Sequence, residues 1–387
     1  MAVTKFVKLK DCATIIAGQS PQSKYYNTTG EGVPFFQGKA DFGELYPTVR
    51  VYCSKPTKIA EKDDILLSVR APVGPTNLSP GKVCIGRGLT AIRPDDSLDL
   101  KYLLNYFRYF EIQLASKGTG TTFKAITQAV VKNLEIPIPP KDEQRRIVSR
   151  IEELFSKLDK GVETLQTTKQ QLAVYRQAVL KEAFADCKEW PRYTFSELME
   201  EVRNGYGKKP DDAGTYRILR ISAIRSLKLD LSEYRFNATQ FSEENLIMEN
   251  DILFVRYNGS KEFVGVCAVV PPLSETYAYP DKLIKCRPKI KNKIHSSFLT
   301  YYMSQSKARQ YIRSKIKTTS GQNGIAATDI KKAIVYLPDL NTQEAIVSKI
   351  ESRLSVCDSI EQTVDTALLQ AEAMRQSILK KVFEGGL

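Results

Sequence analysis

Two stretches of the chain place apolar residues at alternating steps of three and four positions for about forty residues each. They cover residues 142–185 and residues 342–383, and charged side chains fill most of the other positions. This spacing gathers apolar side chains on one face of an α-helix. It predicts two helices, each roughly 60 Å long at 1.5 Å per residue, with a narrow apolar stripe that needs a partner. The residues predicted to form the contacts between these helices are Ile147, Ile151, Leu154, Leu158, Leu165, Leu172, Ile346, Ile350, Leu354, Val364, Ala371 and Ile378.

The two stretches are copies of one another. Residues 139–184 align without a gap on residues 338–383, and 17 of the 46 aligned positions are identical. Upstream, Asp64-Ile65-Leu66 matches Asp251-Ile252-Leu253, and Arg93-Pro94 matches Arg287-Pro288. The chain is therefore an internal duplication. We expect the two helices to pair antiparallel around a pseudo-twofold axis; the alternative is that each helix packs only on its own globular block.

Each helix follows a globular block that the sequence predicts to be α+β. In the first block, Asp64–Arg70 is typical of a strand and Leu98–Ser116 of an amphipathic helix. In the second block, Ile252–Val255 predicts a strand, Phe298–Ile316 one helix, and residues 317–324 a loop. The predicted organisation is two α/β domains separated by two long helices forming an antiparallel coiled coil. Its segments are residues 1–140, 141–185, 186–340 and 341–387.

Positive charge concentrates in the two globular blocks. The 387-residue chain has a net charge of +13, of which residues 1–140 carry +6 and residues 186–340 carry +7. Separate basic domains attract a polyanion such as DNA. No apolar run reaches the roughly 18 residues of a membrane span. The seven scattered cysteines favour a reducing cytosol over a disulfide framework.

The residue types needed for common catalytic sites are scarce. His295 is the only histidine, so a His-rich metal site is excluded, and we interpret it as a solvated residue at a helix start. The loop Gly118–Thr122 lacks the G-K-[ST] ending of a phosphate-binding loop and precedes a strand. A Gly-rich cofactor turn and an N-P-P-[YF] tetrapeptide, both expected of an adenine methyltransferase, are missing from the sequence. We therefore expect a non-catalytic protein without a metal or a cofactor of its own.

The sequence resembles the specificity subunits of type I restriction–modification systems. The resemblance rests on these segments and their order: Leu67–Gly74, Ile136-Pro137-Ile138-Pro139-Pro140, Glu143-Gln144, Ile147-Val148 and Gln177–Phe184, with a second copy in Leu337-Pro338, Gln343, Ile346-Val347 and Arg375–Phe383. It covers essentially the whole chain. The second copy departs from the pattern, because Arg256–Ser260 replaces the Arg-Ala-Pro phrase and Thr342 replaces Glu143.

The resemblance implies a DNA-recognition subunit. Each globular domain would read one half of an interrupted site in double-stranded DNA, and the helix pair would set the spacer between the halves. Two DNA adenine methyltransferase subunits would dock on the helices, and two motor–nuclease subunits would complete the restriction enzyme. S-adenosylmethionine, ATP and Mg²⁺ would be bound by those partners, in the cytoplasm of a bacterium or archaeon.

Candidate DNA contacts are polar or basic residues in loops that contain glycine, proline or aromatic residues. They are Lys24, Tyr25, Tyr26, Lys39, Arg70, Thr119, Thr121, Lys124, Lys208, Lys209, Arg220, Arg256, Tyr257, Asn258, Lys261, Gln322 and Asn323. Two other functions stay open at this point. One is a basic coiled-coil scaffold that binds acidic protein or nucleic acid without a restriction role. The other is a methyltransferase or nuclease with degenerate motifs.

Overall fold

The computed structural model describes residues 5–119, 124–208, 213–225, 227–289, 294–319 and 321–385. The chain forms two compact units. The first unit combines residues 1–165 with residues 366–387, and the second unit is residues 166–365. Each unit thus contains one globular block together with parts of both long helices.

The first unit contains eleven described strands and two short helices, followed by the start of a long one. Its strands are β1 (Lys5–Lys8), β2 (Ala13–Ala17), β3 (Tyr26–Asn27), β4 (Val33–Phe36), β5 (Tyr52–Cys53), β6 (Ile59–Ala60), β7 (Ile65–Ser68), β8 (Thr76–Leu78), β9 (Val83–Ile85), β10 (Leu89–Pro94) and β11 (Glu135–Ile138). Its helices are α1 (Leu100–Ser116), α2 (Gln128–Lys132) and the first part of α3 (Lys141–Ala183).

The second unit contains the end of α3, a second globular block and the start of another long helix. Its described strands are β12 (Arg192–Thr194), β13 (Met199–Asn204), β14 (Tyr216–Leu219), β15 (Ile224–Arg225), β16 (Lys228–Leu229), β17 (Tyr234–Asn237), β18 (Ile252–Val255), β19 (Tyr257–Asn258), β20 (Cys267–Val269), β21 (Tyr277–Ala278), β22 (Leu283–Pro288), β23 (Lys317–Thr319), β24 (Gln322–Gly324) and β25 (Ile334–Tyr336). Its helices are α4 (Phe195–Leu198), α5 (Ser296–Ser304), α6 (Ser306–Lys315), α7 (Ala327–Lys331) and α8 (Leu340–Phe383), whose last part belongs to the first unit.

Both units are built on the same four-stranded antiparallel sheet. Its strand order is β2-β10-β7-β8 in the first unit and β13-β22-β18-β20 in the second. A two-stranded ladder, β1 with β11 and β12 with β25, precedes each long helix. The equal topology confirms the duplication and the predicted α+β class.

An ion pair with a buried carboxylate joins neighbouring strands at the same position of each of these sheets. In the first unit, Arg93 donates two hydrogen bonds to Asp64, at 2.7 and 2.8 Å. In the second unit, Arg287 donates two to Asp251, at the same two distances. Both carboxylates are 1% exposed. The Asp and Arg residues that align in the two copies of the repeat thus form the same ion pair in each unit.

A buried glutamine fixes the start of each long helix. The Oε1 atom of Gln144 accepts a hydrogen bond from the backbone N–H of Asp99, and its Nε2 donates to the carbonyl of Pro139. Gln343 repeats this, accepting from the N–H of His295 and donating to the carbonyl of Pro338. These bonds attach each helix to the globular block that precedes it.

Segments of the two long helices pair antiparallel within each unit. In the first unit, Arg375 on α8 forms an ion pair with Asp159 on α3. In the second unit, the equivalent residues exchange helices, and Arg176 on α3 pairs with Asp358 on α8 at 2.6 Å. The twelve residues predicted to form the helix contacts are all buried or half-buried.

The long helices also pack on the globular blocks. Val148 near the start of α3 joins the core of the first unit, and Val347 and Ile350 on α8 join that of the second. At the helix ends, Phe383 stacks on Tyr109 in the first unit, and Phe184 contacts Phe298 in the second. Helix pairing and packing on the blocks therefore occur together, so the two alternatives considered from the sequence are not exclusive.

Three local predictions differ from the structure. The helix predicted over Phe298–Ile316 is two helices, α5 and α6, which are broken at Gln305 because its side chain accepts a hydrogen bond from the backbone N–H of Lys307. The loop predicted over residues 317–324 contains strands β23 and β24. His295 is half-buried against Gln343 rather than solvated.

None of the helices in the described part of the chain is long and apolar enough to cross a membrane. Among the same residues, no group of three or more His, Cys, Asp or Glu side chains could hold a metal ion.

Candidate nucleic-acid interface

Three loops meet at one end of the four-stranded sheet of the first unit, where β7 ends and β10 begins. We call this end the recognition edge. The loop after β4 approaches the turn between β9 and β10, since Gly86 N–H donates to the carbonyl of Phe36. The same turn holds the end of β7, because Val69 N–H donates to the carbonyl of Gly88 at 2.9 Å. The segment before α2 completes the edge, with Ile126 N–H donating to the carbonyl of Val69 at 3.0 Å.

This edge brings together several of the candidate DNA contacts. Arg70 and Thr119 both form a β-bridge with Ala125, and Lys124 precedes that residue. Arg70, Thr119 and Lys124 are all exposed. The contact was not evident from the sequence, in which more than forty residues separate Arg70 from Thr119.

Glycines allow the backbones to approach closely at this edge. A Cβ atom on Gly88 would lie 2.3 Å from the carbonyl oxygen of Gln37, so only glycine fits there. Lys39 lies two residues beyond Gln37, in the loop after β4, and is exposed. Arg87, the exposed residue between Gly86 and Gly88, adds a positive charge to the edge that our candidates omitted.

The second unit repeats this edge with different side chains. Arg256 N–H donates to the carbonyl of Lys282 at 2.8 Å, and Ile325 N–H donates to the carbonyl of Arg256 at 3.0 Å. Strand β19 pairs with β24, so that Tyr257 lies opposite Gly324 and Asn258 opposite Asn323. These are the same backbone contacts that Val69 and Arg70 make in the first unit.

The structure confirms the register given by the match of Asp64-Ile65-Leu66 with Asp251-Ile252-Leu253, and Arg70 does not correspond to Arg256. Arg256 occupies the position of Val69, and Tyr257 that of Arg70, although the two arginines follow similar strands. The side chain of Arg256 is half-buried, lies over the Tyr257 ring at 4.6 Å and donates to the carbonyl of Asp281 at 3.2 Å. It is thus held in the chain more firmly than the exposed Arg70.

A pocket of about 200 Å³ opens at the edge of the second unit. Three of the candidates, Tyr257, Asn258 and Gln322, line it together with two cations, Arg225 and Lys282, that were not predicted. None of the described residues lining the pocket is acidic. Such a pocket offers hydrogen-bond donors and positive charge to the phosphates or base edges of DNA.

The remaining candidates have different surroundings. Lys24 lies over the ring of Tyr25 at 5.1 Å, as does Lys55 at 5.6 Å, so two exposed lysines cover one half-buried ring. Tyr26 stacks on Phe35, its hydroxyl donates to the carbonyl of Pro21, and burial raises its pKa. Tyr26 is therefore engaged within the fold.

In the second unit, Lys208, Arg220 and Lys261 are exposed. Asn323 is 6% exposed; its Nδ2 donates to the carbonyl of Gly259 and its Oδ1 accepts from Thr318, which favours a structural role. Thr121 and Lys209 lie outside the described residues.

Three cations at these edges were not among the predicted DNA contacts, and the sequence identifies some of them more readily than others. Arg87 stands between two glycines, the same feature that selected other candidates, and could have been found. Lys282 follows Tyr279 and Pro280 and could have been found in the same way. Arg225 stands in a segment without glycine, proline or aromatic residues, and only the folding of the second unit brings it to Tyr257.

Comparisons with known proteins agree on one family. The model of the type I restriction modification DNA specificity domain matches residues 3–172 and again residues 188–370. The chain is 32% identical over 326 residues to the type I restriction enzyme EcoKI specificity subunit of Escherichia coli strain K12, covering 80% of this chain and 70% of that subunit. It is 28% identical over 371 residues to the StySPI specificity subunit of Salmonella potsdam, covering 90% of this chain and 80% of that subunit.

Other relatives match a shorter part. The putative type I restriction enzyme MjaX specificity subunit of Methanocaldococcus jannaschii is 41% identical over 167 residues, which is 43% of this chain and 38% of that subunit. The solved HsdS subunit from Thermoanaerobacter tengcongensis is 49% identical, with a TM-score of 0.37, over 40% of this chain and 37% of that chain.

The fold and the comparisons together define a protein with two DNA specificity domains, each attached to a long helix. The chain belongs to the specificity subunits of type I restriction–modification systems. Membership of this family assigns the chain a DNA-recognition function rather than a catalytic one, and does not favour a coiled-coil scaffold without a restriction role.

Proposed function

We propose that this chain selects the DNA site of a type I restriction–modification complex, with each globular block reading one half of a two-part sequence. One observation carries the proposal: both units present an edge with the same backbone hydrogen bonds, but with different polar side chains. The backbone arrangement of the edge is the same in both units, whereas the side chains differ. One fold can therefore read two different DNA sequences.

The charges at these edges fit such a function. Exposed Arg70, Arg87 and Lys124 in the first unit, and Arg225 and Lys282 in the second, offer contacts to DNA phosphates. Phosphate contacts position a protein on the duplex, and hydrogen bonds to base edges in the major groove supply the sequence preference. Domains that bind one DNA face contact major-groove segments about one helical turn apart.

The helix pair would set the spacer between the half-sites and dock two DNA adenine methyltransferase subunits, with two motor–nuclease subunits completing the restriction complex. In this proposal, S-adenosylmethionine, ATP and Mg²⁺ are bound by those partners, and the complex acts in the cytoplasm, where the DNA is. Support comes from the ion pairs that hold α3 and α8 together in each unit.

A genome-wide map of N6-methyladenine tests the proposal directly. The map is recorded in the source cell with and without the gene for this chain. We expect methylation to disappear at one interrupted, two-part sequence when the gene is deleted. Identical maps in the two strains, together with failure of the purified chain to retain a DNA methyltransferase, would count against it.

Salt dependence separates DNA reading from attachment to acidic proteins. The logarithm of the DNA-binding constant should fall linearly with the logarithm of salt concentration, losing several powers of ten between about 50 and 200 mM. The measurement compares a fragment that carries the methylated sequence with a scrambled fragment of the same length. Equal affinity for both fragments at every salt concentration would favour the scaffold function.

A further inference from the structure

The hairpin formed by β15 and β16 in the second unit has no described counterpart in the first. The four-stranded sheets of the two units correspond strand for strand, and the loops after β4 and β14 both begin with a short 3-10 turn. After that turn, the second unit forms the antiparallel pairs Ile224 with Leu229 and Arg225 with Lys228. The hairpin is thus an addition to one recognition edge.

The side chain of Arg225 is exposed yet held in place. Its guanidinium lies over the ring of Phe263 at 5.3 Å, and one nitrogen donates to the carbonyl of Ile224 at 3.2 Å. An arginine that is stacked on an aromatic ring keeps the remaining donors of its planar fork in a fixed direction. Arg225 lines the pocket of about 200 Å³, opposite Tyr257, Asn258 and Gln322.

The backbone of the hairpin is strained at Leu227. Its φ of 76° lies in the left-handed region, which is unfavourable for a leucine because of its Cβ atom. The other non-glycine residues with positive φ are Asp63 and Asn250, and these occupy equivalent positions of the repeat. Leu227 is therefore the exception among the described residues, and strain of this kind is concentrated where a segment contacts a ligand.

Two contacts hold the strained hairpin in position. Leu227 forms a β-bridge with Ala268 and packs on the core of the second unit. Lys228 donates to Asp358 on α8, which also accepts from Arg176 on α3. Arg225 is consequently presented on a segment that is fastened to both the sheet and the helix pair.

We propose that Arg225 reads a guanine in the half-site bound by the second unit. Arginine pairs with the O6 and N7 acceptors of guanine through two parallel hydrogen bonds, the commonest base-specific contact in the major groove. The fixed fork, the exposed position and the acid-free pocket provide what this contact needs. The inference rests on the proposed DNA-recognition function, and it names one residue and one base.

A selection from a double-stranded DNA library with randomised half-sites tests this assignment, using the purified full chain. The compared variants are Arg225→Ala, Arg225→Lys and Arg235→Ala; Arg235 is an exposed arginine of β17 that does not line the pocket. We expect wild type and Arg235→Ala to select the same two-part sequence. Arg225→Ala should lose the preference for guanine at one position of one half-site by about 5- to 150-fold, with the other half-site unchanged.

The lysine variant separates base reading from charge. Arg225→Lys should keep most of the affinity for random DNA but lose most of the guanine preference, because lysine lacks the planar fork. An unchanged selected sequence in Arg225→Ala would overturn the assignment. So would a uniform loss of affinity with the guanine preference intact, since that identifies a phosphate contact. If the wild-type chain itself selects no two-part sequence, the proposed function fails rather than the role of Arg225.

Discussion

One buried side chain in each unit fastens the four-stranded sheet at the end opposite the recognition edge, through bonds that the duplication preserves. The carboxylate of Asp251 accepts from Arg287 and also from the backbone N–H of Met248, at 2.8 Å. Asp64 makes the same pair of contacts, with Arg93 and with the N–H of Glu61. One carboxylate thus joins a strand to the turn that precedes its neighbour.

Substitution of either aspartate should therefore destabilise its own unit. Asp64→Asn or Asp251→Asn leaves an arginine without its charged partner, which should cost about 2–4 kcal/mol, because the carboxylates are buried but the arginines are partly solvated. Native-state hydrogen exchange of the amides in β7 and β18 reports the loss in each unit separately. Asp96→Asn, at an exposed position, is the matched control. Equal exchange rates in all variants would contradict the prediction.

Lys285 is a buried charge that only the second unit has. Its ammonium is fully buried, pairs with Glu201 at 3.0 Å, and donates to the carbonyls of Glu244 and Leu246. The register of β22 places Ala91 at the equivalent position of the first unit. The second unit has thus replaced an apolar core position with a lysine that ties the 243–247 segment to the sheet.

Lys285→Met should destabilise the second unit by about 2–4 kcal/mol, since it leaves two carbonyls without their donor and removes the nearest cation of the half-buried Glu201. Hydrogen exchange should accelerate in β22 and leave β10 unaffected. Lys332→Met removes an exposed lysine and serves as the control. A stabilised Lys285→Met variant would show that the methionine packs better than the ion pair.

At the scale of elements, the long helices are joined by ion pairs at equivalent positions. Burial tends to raise the pKa of Asp358, but hydrogen bonds from Lys228 and Arg176 outweigh it and hold that pKa below the ordinary value. A carboxylate with a lowered pKa in the folded state adds stability above its unfolded pKa of about 3.9, and this stability is lost as the pH falls through the folded pKa.

The helix pairing in the second unit should accordingly weaken below about pH 4, and Asp358→Asn should remove this part of the pH dependence. A double-mutant cycle of Arg176→Ala and Asp358→Asn should give a coupling of about 0.5–1 kcal/mol at neutral pH, because both side chains are partly exposed. The cycle is measured by exchange of amides in α3. Zero coupling at neutral pH would mean that water screens the pair.

Helices with a long apolar periodicity could be predicted from the sequence. Features that depend on a single hydrogen bond could not. The apolar stripes of α3 and α8 extend over about forty residues, so the sequence indicated both helices and their antiparallel pairing. The break between α5 and α6 depends on the capping bond of Gln305, and the periodicity continues through it. The hydrogen bond from the Arg256 N–H to the carbonyl of Lys282 joins distant parts of the chain, and no pattern near Arg256 reveals it.

At the scale of the whole molecule, the duplication determines which features could be predicted from the sequence. Matching the copies in the sequence identified Asp64 with Asp251 and Arg93 with Arg287, which the structure shows to be one repeated ion pair. The recognition edges diverge between the copies, so the sequence could only suggest candidate loops there. Base-reading side chains cannot be inferred from similarity when the two copies read different sequences.

Shortening both helices equally tests the spacer function. Removing residues 160–166 and 359–365 deletes seven equivalent positions from each helix and keeps the apolar stripe in phase. At 1.5 Å per residue this is about 10 Å, or three base pairs of DNA. The methylated sequence should keep both halves and lose three base pairs of spacer, as read from a methylation map. A spacer of unchanged length would exclude the helices as its determinant.

The discontinuous first unit has a consequence for synthesis on the ribosome. The second unit is one continuous segment, whereas the first needs residues 366–387 to cover the rings of Tyr102, Tyr106 and Tyr109 with Phe383. At about 5–20 residues per second, the nascent first unit waits roughly 10–40 s for that segment. A message cut short before residue 366 would leave these rings without Phe383, and we expect the truncated chain to bind chaperones and to be degraded faster than the full-length chain.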